Sequence, residues 1–115
     1  MKQVPQFASV SAIRYDRLMT AEQFTRINRA LADPRRMEIL ELIASQEEMA
    51  CSALASDCPI SQPTISHHVK ELASAGLIKA RKQAKYCFYR LDRKVWSEYL
   101  AESGRRVPAA RNKKS

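Results

Sequence analysis

Residues 61–91 read SQPTISHHVKELASAGLIKARKQAKYCFYRL, and a change of period inside this stretch decides the fold. Ser61 suits the N-cap of a helix and Pro63 its first turn, where a missing backbone N–H costs nothing. Ile65, His68, Val69 and Leu72 follow at i, i+3, i+4 and i+7, one apolar stripe along that helix. Gly76 stands where a left-handed residue ends a helix. Beyond it the helical spacing gives way to alternation. Leu77 to Lys82 and Lys85 to Leu91 read as two strands joined by a short basic turn. On the second strand Cys87, Tyr89 and Leu91 share one face, and Tyr86, Phe88 and Arg90 the other.

Working upstream, a short helix is expected around Cys51 to Ser56, closed by Cys58-Pro59. Asp33-Pro34 is a sharp boundary, Asp as cap and Pro as first helical residue. The helix it opens runs to about Ser45. Met37, Ile39, Leu40, Leu42 and Ile43 cover most of its circumference, which makes it the buried centre. Thr20 with Gln23 fits a capping box for a first helix ending near Ala32, with Phe24, Ile27 and Leu31 at helical spacing. Downstream, Asp92 caps a last helix, about Arg93 to Glu102, with Val95, Trp96 and Tyr99 on one side.

Residues 1–19 show no period and are expected to form a loose arm. Residues 104–115 are basic, contain Pro108 and are expected to form a disordered tail. No internal repeat is visible. The order between them, residues 20–103, is α-α-α-α-β-β-α: a mainly α domain with a small β-hairpin. The short helix and its successor make a helix-turn-helix, and the hairpin is the wing. The 115 residues suffice for one domain with a modest core, so dimerisation is a natural way to bury more apolar surface.

The chain carries a net charge of +8 and a pI of about 9.8, a balance that favours anionic partners, nucleic acid before membrane surface. The charge is uneven. Seven Lys or Arg and one acid, Asp92, lie between Lys79 and Lys94, and five more cations lie between Arg105 and Lys114. No stretch approaches the roughly 18–20 apolar residues of a membrane span. Met1 to Ala12 holds one Lys and no apolar core, so no signal peptide is expected. Three cysteines at irregular spacing do not suggest a disulfide framework, and a reducing cytoplasm is the expected compartment.

The apolar stripe leaves Gln62, Pro63, Ser66, His67 and Lys70 facing outward, with Thr64 near the edge. Gln pairs bidentately with adenine, and Ser or Thr reaches several bases. The helix N-terminus itself favours phosphate. Arg81, Lys82 and Lys85 surround the hairpin tip, where cations contact phosphate or the adjoining minor groove. Tyr86 and Phe88 are read as packing residues rather than stacking platforms for unpaired bases. The plainer interpretation is an amphipathic surface helix beside a solvated basic face. The basic hairpin directly after the helix favours double-stranded DNA. A protein–protein adaptor and a non-specific architectural nucleic-acid-binding protein share this pattern and stay open as alternatives. No enzyme is expected: paired carboxylates in a pocket, a Gly-rich phosphate loop and a nucleophile beside a base are all missing.

The runs ALADPRRMEILELI, SQPTISHHVKELASAGLI and RKQAKYCFYRLD resemble the ArsR/SmtB family of winged-helix repressors, over about Ala21 to Leu100. The resemblance implies a homodimer paired through its first and last helices, which represses an operon and releases DNA when an inducer binds. It implies base contacts from Gln62, Thr64, Ser66 and His67, and wing contacts from Arg81, Lys82 and Lys85. It also exposes departures. Where arsenite or cadmium sensors of the family carry Cys-x-Cys, this chain has Ala50 and Ser52 around Cys51. Where zinc or nickel sensors use Asp and His on the last helix, it has no His and, before the helix end, one acid, Glu98. A metal site needs about three or four ligands, so neither a metal nor another cofactor is expected. The inducer is not readable.

The wing tip has Gln83-Ala84 where the family often has Gln-Gly, so a turn with positive φ is not expected there. His68 reads as a hydrogen-bonded core residue and His67 as a DNA or solvent contact. The pair points to different helix faces and does not chelate one ion. The cysteines are most simply small apolar fillers. Cys51 and Cys58, across the short helix, are a candidate thiol switch. Persulfide sensors of the family use a cysteine on the last helix, where this chain has none.

Overall fold

The computed structural model describes residues 19–110. The expected arm, apart from Met19, and residues 111–115 of the expected tail lie outside the described residues. Met19, the last residue of the expected arm, is buried in the core.

The first helix, α1 (Ala21–Leu31), starts where the Thr20 hydroxyl accepts the Gln23 N–H at 3.0 Å. Half of the expected capping box is present. The Gln23 side chain donates instead to the Ala75 carbonyl at 3.4 Å and ties the helix to the domain. Helix α2 (Pro34–Ala44) is capped by Asp33, whose Oδ1 accepts the N–H groups of Arg35 and Arg36 at 2.8 and 3.3 Å. Ile39, Leu40 and Ile43 of this helix are buried, and the central position expected for it is observed.

A strand of two residues, β1 (Met49–Ala50), follows, and α3 (Cys51–Asp57) begins directly after it. This strand is not legible in the sequence, because two residues carry no period. It exists through pairing with a distant strand. Helix α4 (Gln62–Ser74) comes next, then β2 (Ile78–Gln83) and β3 (Tyr86–Leu91). The three strands form one antiparallel sheet in the order β1-β3-β2. Ile78 pairs with Leu91 and Gln83 with Tyr86 at the tip.

The last helix, α5 (Arg93–Arg106), is capped by Asp92, which accepts the Val95 N–H at 3.1 Å. It passes through Gly104, where the tail was expected to begin, and ends four residues later than Glu102. Glu102 is fully buried and accepts Arg105 at 2.7 Å and Arg106 at 2.8 Å. These i,i+3 and i,i+4 pairs, with cations at a helix C-terminus, outweigh the low propensity of one glycine.

Ile27, Ile39, Ile43, Met49, Leu54, Leu72 and Leu77 are the largest fully buried apolar side chains, one or more from most elements. Each contributes about 1.5–3 kcal/mol by leaving water. This shared core fixes α4 and the β2–β3 hairpin against α2, which matters for the site.

Candidate nucleic-acid interface

Helix α4 keeps Ile65, His68, Val69 and Leu72 inward, so the stripe sits where its spacing places it. Gln62, Pro63, Thr64, Ser66, His67 and Lys70 are all exposed. They line the first turns of a helix with no acid in its first turn, so its positive end is not neutralised locally. The helix is stopped by a Schellman arrangement. Leu77 N–H donates to the Leu72 carbonyl at 3.1 Å and Gly76 N–H to the Ala73 carbonyl at 2.9 Å. Gly76 has φ +86°, which turns the chain from the helix into β2.

Two local expectations differ. Ser61 occupies the N-cap position but makes no side-chain cap bond. Its hydroxyl lies 2.9 Å from the Thr64 hydroxyl, so the two share one hydrogen bond and Thr64 is partly engaged. His68 is buried, yet its Nδ1 has no hydrogen-bond partner among the described residues, where a bonded core histidine was expected. Its ring tilts against His67 at 5.8 Å, and it lies near Asp33. Burial works to raise the Asp33 carboxyl, but the Arg35 and Arg36 N–H groups, with the nearby His68 and Arg36 side chains, hold it below its ordinary value.

The hairpin closes through the two-residue loop Ala84-Lys85. Ala84 adopts φ 57°, against the expectation of no positive φ. A two-residue loop between right-handedly twisted strands demands a positive φ, and the strand pairing imposes it on a residue that resists it. Lys82 and Lys85 are exposed near the tip, and the Lys85 ammonium stands 5.9 Å from the Tyr86 ring. Tyr86 is 60% exposed, not packed as expected.

Arg81 is placed differently from the other wing cations. Its Nε donates to Glu48 Oε2 at 2.8 Å and its Nη2 to Glu48 Oε1 at 2.7 Å. Its Nη1 donates to Gln83 Oε1 at 2.7 Å, and its guanidinium lies 4.5 Å over the Phe88 ring. The fork of hydrogen bonds from Arg81 holds the Glu48 carboxyl below its ordinary value, with burial opposing. Reading the sequence identified Arg81 as a free wing cation and missed Glu48. The one available signal was the cluster of Glu38, Glu41, Glu47 and Glu48 in the near-neutral middle of a basic chain.

The cysteines are free. Cys58 is buried past the C-terminus of α3, and burial with Asp57 and Glu38 nearby pushes its thiol up. Cys51, at the other end of that helix, has the thiol of Cys87 and the hydroxyl of Tyr89 beside it, not Cys58. The pairing of Cys51 with Cys58 expected across the short helix is not the one the fold brings together. Among the described residues no group of three or more His, Cys, Asp or Glu is placed to hold a metal ion.

Helices α1 and α5 meet in an aromatic cluster. Phe24 and Tyr99 lie 5.4 Å apart, Trp96 and Tyr99 5.5 Å apart, and Arg106 stacks 3.9 Å over Phe24. The Tyr99 hydroxyl donates to Asn28 Oδ1 at 2.5 Å. Leu100 on α5 is 52% exposed. Among the described residues no helix is long and apolar enough to cross a membrane.

A polar, unneutralised helix start, held by a turn against a preceding short helix and flanked by a basic hairpin, defines a winged helix-turn-helix DNA-binding protein. A helix-turn-helix domain family model matches residues 31–81. The arsenical resistance operon repressor of Staphylococcus xylosus is 38% identical over 74 residues, 64% of this chain and 70% of the repressor. An HTH-type transcriptional regulator of Methanocaldococcus jannaschii is 40% identical over 68 residues, 59% of this chain and 76% of that protein. Among solved structures, an ArsR-like transcriptional regulator from Rhodococcus sp. RHA1 superimposes with a TM-score of 0.67 at 26% identity, over 76% of this chain and 81% of that one. The homodimeric winged helix-turn-helix DNA-binding domain of a Mycobacterium bovis protein gives 0.60 at 28% identity, over 77% and 83%. The chain belongs to the ArsR/SmtB family of winged-helix transcriptional regulators, a family of DNA-binding proteins and not of enzymes.

Proposed function

We propose that this regulator is a repressor that binds a partly palindromic operator as a homodimer in the cytoplasm. The observation that carries the reading is the exposed polar start of α4 beside the basic wing. Gln62, Ser66 and His67 read base edges in the major groove, with Thr64 assisting from its shared bond to Ser61. Lys70, Lys82 and Lys85 anchor phosphate. Arg81 supports the wing through Glu48 and leaves the wing's phosphate contacts to Lys82 and Lys85.

The dimer forms through α1 and α5, where the exposed Leu100 lies on the same helix as the Trp96–Tyr99 cluster. A two-fold axis there sets two α4 helices about 34 Å apart, one turn of DNA. In this reading the positions used for metal by family sensors stay unused. Ala50 and Ser52 offer no thiolate and α5 offers no histidine. The test is a competition titration of the full chain on its own upstream region against random duplex. Discrimination that depends on Gln62 and Ser66 supports a sequence-specific regulator. Equal binding to every duplex marks an architectural protein, and no duplex binding marks an adaptor.

A further inference from the structure

We propose that Cys51 and Cys87 close a reversible intramolecular disulfide that staples the start of α3 to the wing strand β3. The register carries it. Met49 pairs with Tyr89 and Ala50 with Phe88; Cys51, the first residue of α3, directly follows Ala50 and Cys87 directly precedes Phe88, so both cysteines lie just beyond the last rung. The two cysteines line one cleft together. A disulfide between them requires Cα atoms roughly 4.4–6.8 Å apart. Cys51, Cys87 and Tyr89 influence one another electrostatically.

The surroundings fit slow, selective oxidation. Burial pushes the Cys51 thiol up, the Tyr89 hydroxyl opposes this, and Cys87 adds to it. The Tyr89 hydroxyl is pushed up by burial and by both thiols, so it stays protonated and does not compete as a nucleophile. A cleft of about 190 Å³ lined by Cys51, Ser52, Lys85, Tyr86 and Cys87 admits a small disulfide to the pair. Cys58 sits beyond the far end of α3 among Asp57, Glu38 and Arg35 and takes no part.

The oxidant is a low-molecular-weight disulfide of the glutathione class. One cysteine, as thiolate, attacks one sulfur of that disulfide, forms a mixed disulfide and expels a thiolate. The other cysteine then attacks the protein-bound sulfur, closes the Cys51–Cys87 bond and expels the second thiolate. Two electrons pass from the cysteine sulfurs to the small disulfide. The two cysteine protons end on the two thiols released.

The bond joins the first helix of the helix-turn-helix to the wing, so it alters how α4 and the hairpin sit together on a duplex. That consequence rests on the DNA-binding reading, whereas bond formation does not. The experiment equilibrates the full chain in reduced and oxidised glutathione mixtures, alkylates the remaining thiols after unfolding, and counts them by mass. Wild type and Cys58→Ser each lose two thiols within one chain as the mixture becomes oxidising. Cys51→Ser and Cys87→Ser form no intramolecular bond, and Cys51→Ala and Cys87→Ala repeat the result where serine perturbs folding. Three free thiols in oxidised wild type, or a bond that includes Cys58, overturns the proposal. The same samples titrated on the preferred duplex show wild-type affinity changing by about fivefold or more on oxidation, with no change in Cys87→Ser. A bond that forms without changing affinity refutes the coupling. Absence of duplex binding in both redox states refutes the DNA-binding reading and leaves the thiol count standing.

Discussion

Arg81 on β2 and Glu48, 33 residues earlier, meet fork to carboxylate through contacts of 2.8 and 2.7 Å. The pair fastens the wing to the segment entering β1 and α3. It also pairs one of the wing's cations with a carboxylate. Two wing lysines and one wing arginine, alike in the sequence, therefore have different tasks.

The difference is measurable as a salt slope. Lys82→Ala and Lys85→Ala each reduce the slope of log affinity against log salt by about 0.9, the loss of one phosphate contact. Arg81→Ala weakens binding through a misplaced wing but leaves the slope at the wild-type value. Fluorescence anisotropy over a salt series checks this. A slope reduced as much by Arg81→Ala as by the lysine variants contradicts the assignment.

The same pair gives a pH dependence. Hydrogen bonding from Arg81 holds Glu48 below its ordinary value of 4.5. A carboxyl depressed in the folded state stabilises fully above that ordinary value, and the contribution is lost as pH falls through the lowered one. Glu48→Gln, which lacks the charge at every pH, is therefore less stable than wild type at neutral pH and converges with it in acid. Thermal melts between neutrality and acid read this. A constant gap between the two curves argues against the linkage.

Gly76 and Ala84 make an opposed pair of backbone tests. Gly76 has φ +86°, and an added Cβ meets the Gln23 amide nitrogen at 2.8 Å, the same group that bonds Ala75. Gly76→Ala costs about 1–2 kcal/mol for the left-handed backbone. Ala84, at φ 57°, already carries that strain. Ala84→Gly relieves it, less the added unfolded-chain entropy, for a gain of about 0.5 kcal/mol. Urea denaturation should show the two shifts with opposite sign, and a loss of stability in Ala84→Gly would refute the turn geometry.

Leu100 tests the dimer. It is half exposed on α5 in the single chain, so a charge there harms the fold little. Leu100→Glu yields a folded monomer by sedimentation, with duplex affinity lowered because two half-sites no longer bind together. A variant that remains dimeric moves the interface away from this face.

The parts legible in the sequence are those set by near neighbours. Asp33-Pro34, the Ile65 to Leu72 stripe and Gly76 each act within a turn or two, and the structure has them where the spacing puts them. What escaped depends on distant pairing. Strand β1 exists only against β3, and its pairing brings the start of α3 beside that strand. Glu48 finds Arg81 across the sheet. Ala84 takes a conformation its residue type disfavours because two strands must close around it. Gly104, read as the start of a tail, lies inside α5 because Arg105 and Arg106 turn back to a buried Glu102. At the site, residue identities on α4 were legible, whereas the engagement of Thr64 and Arg81 was not.

The central claim is that the start of α4 reads DNA sequence. Its most direct measurement is a competition titration of wild type and the Gln62→Ala, Ser66→Ala double variant, on a selected duplex and on random duplex. Wild type is expected to prefer the selected duplex by about 10³-fold or more. The double variant is expected to lose most of that preference while keeping its salt slope, because base contacts specify and phosphate contacts hold. A double variant that discriminates as well as wild type, or a wild type that prefers no duplex, contradicts the account.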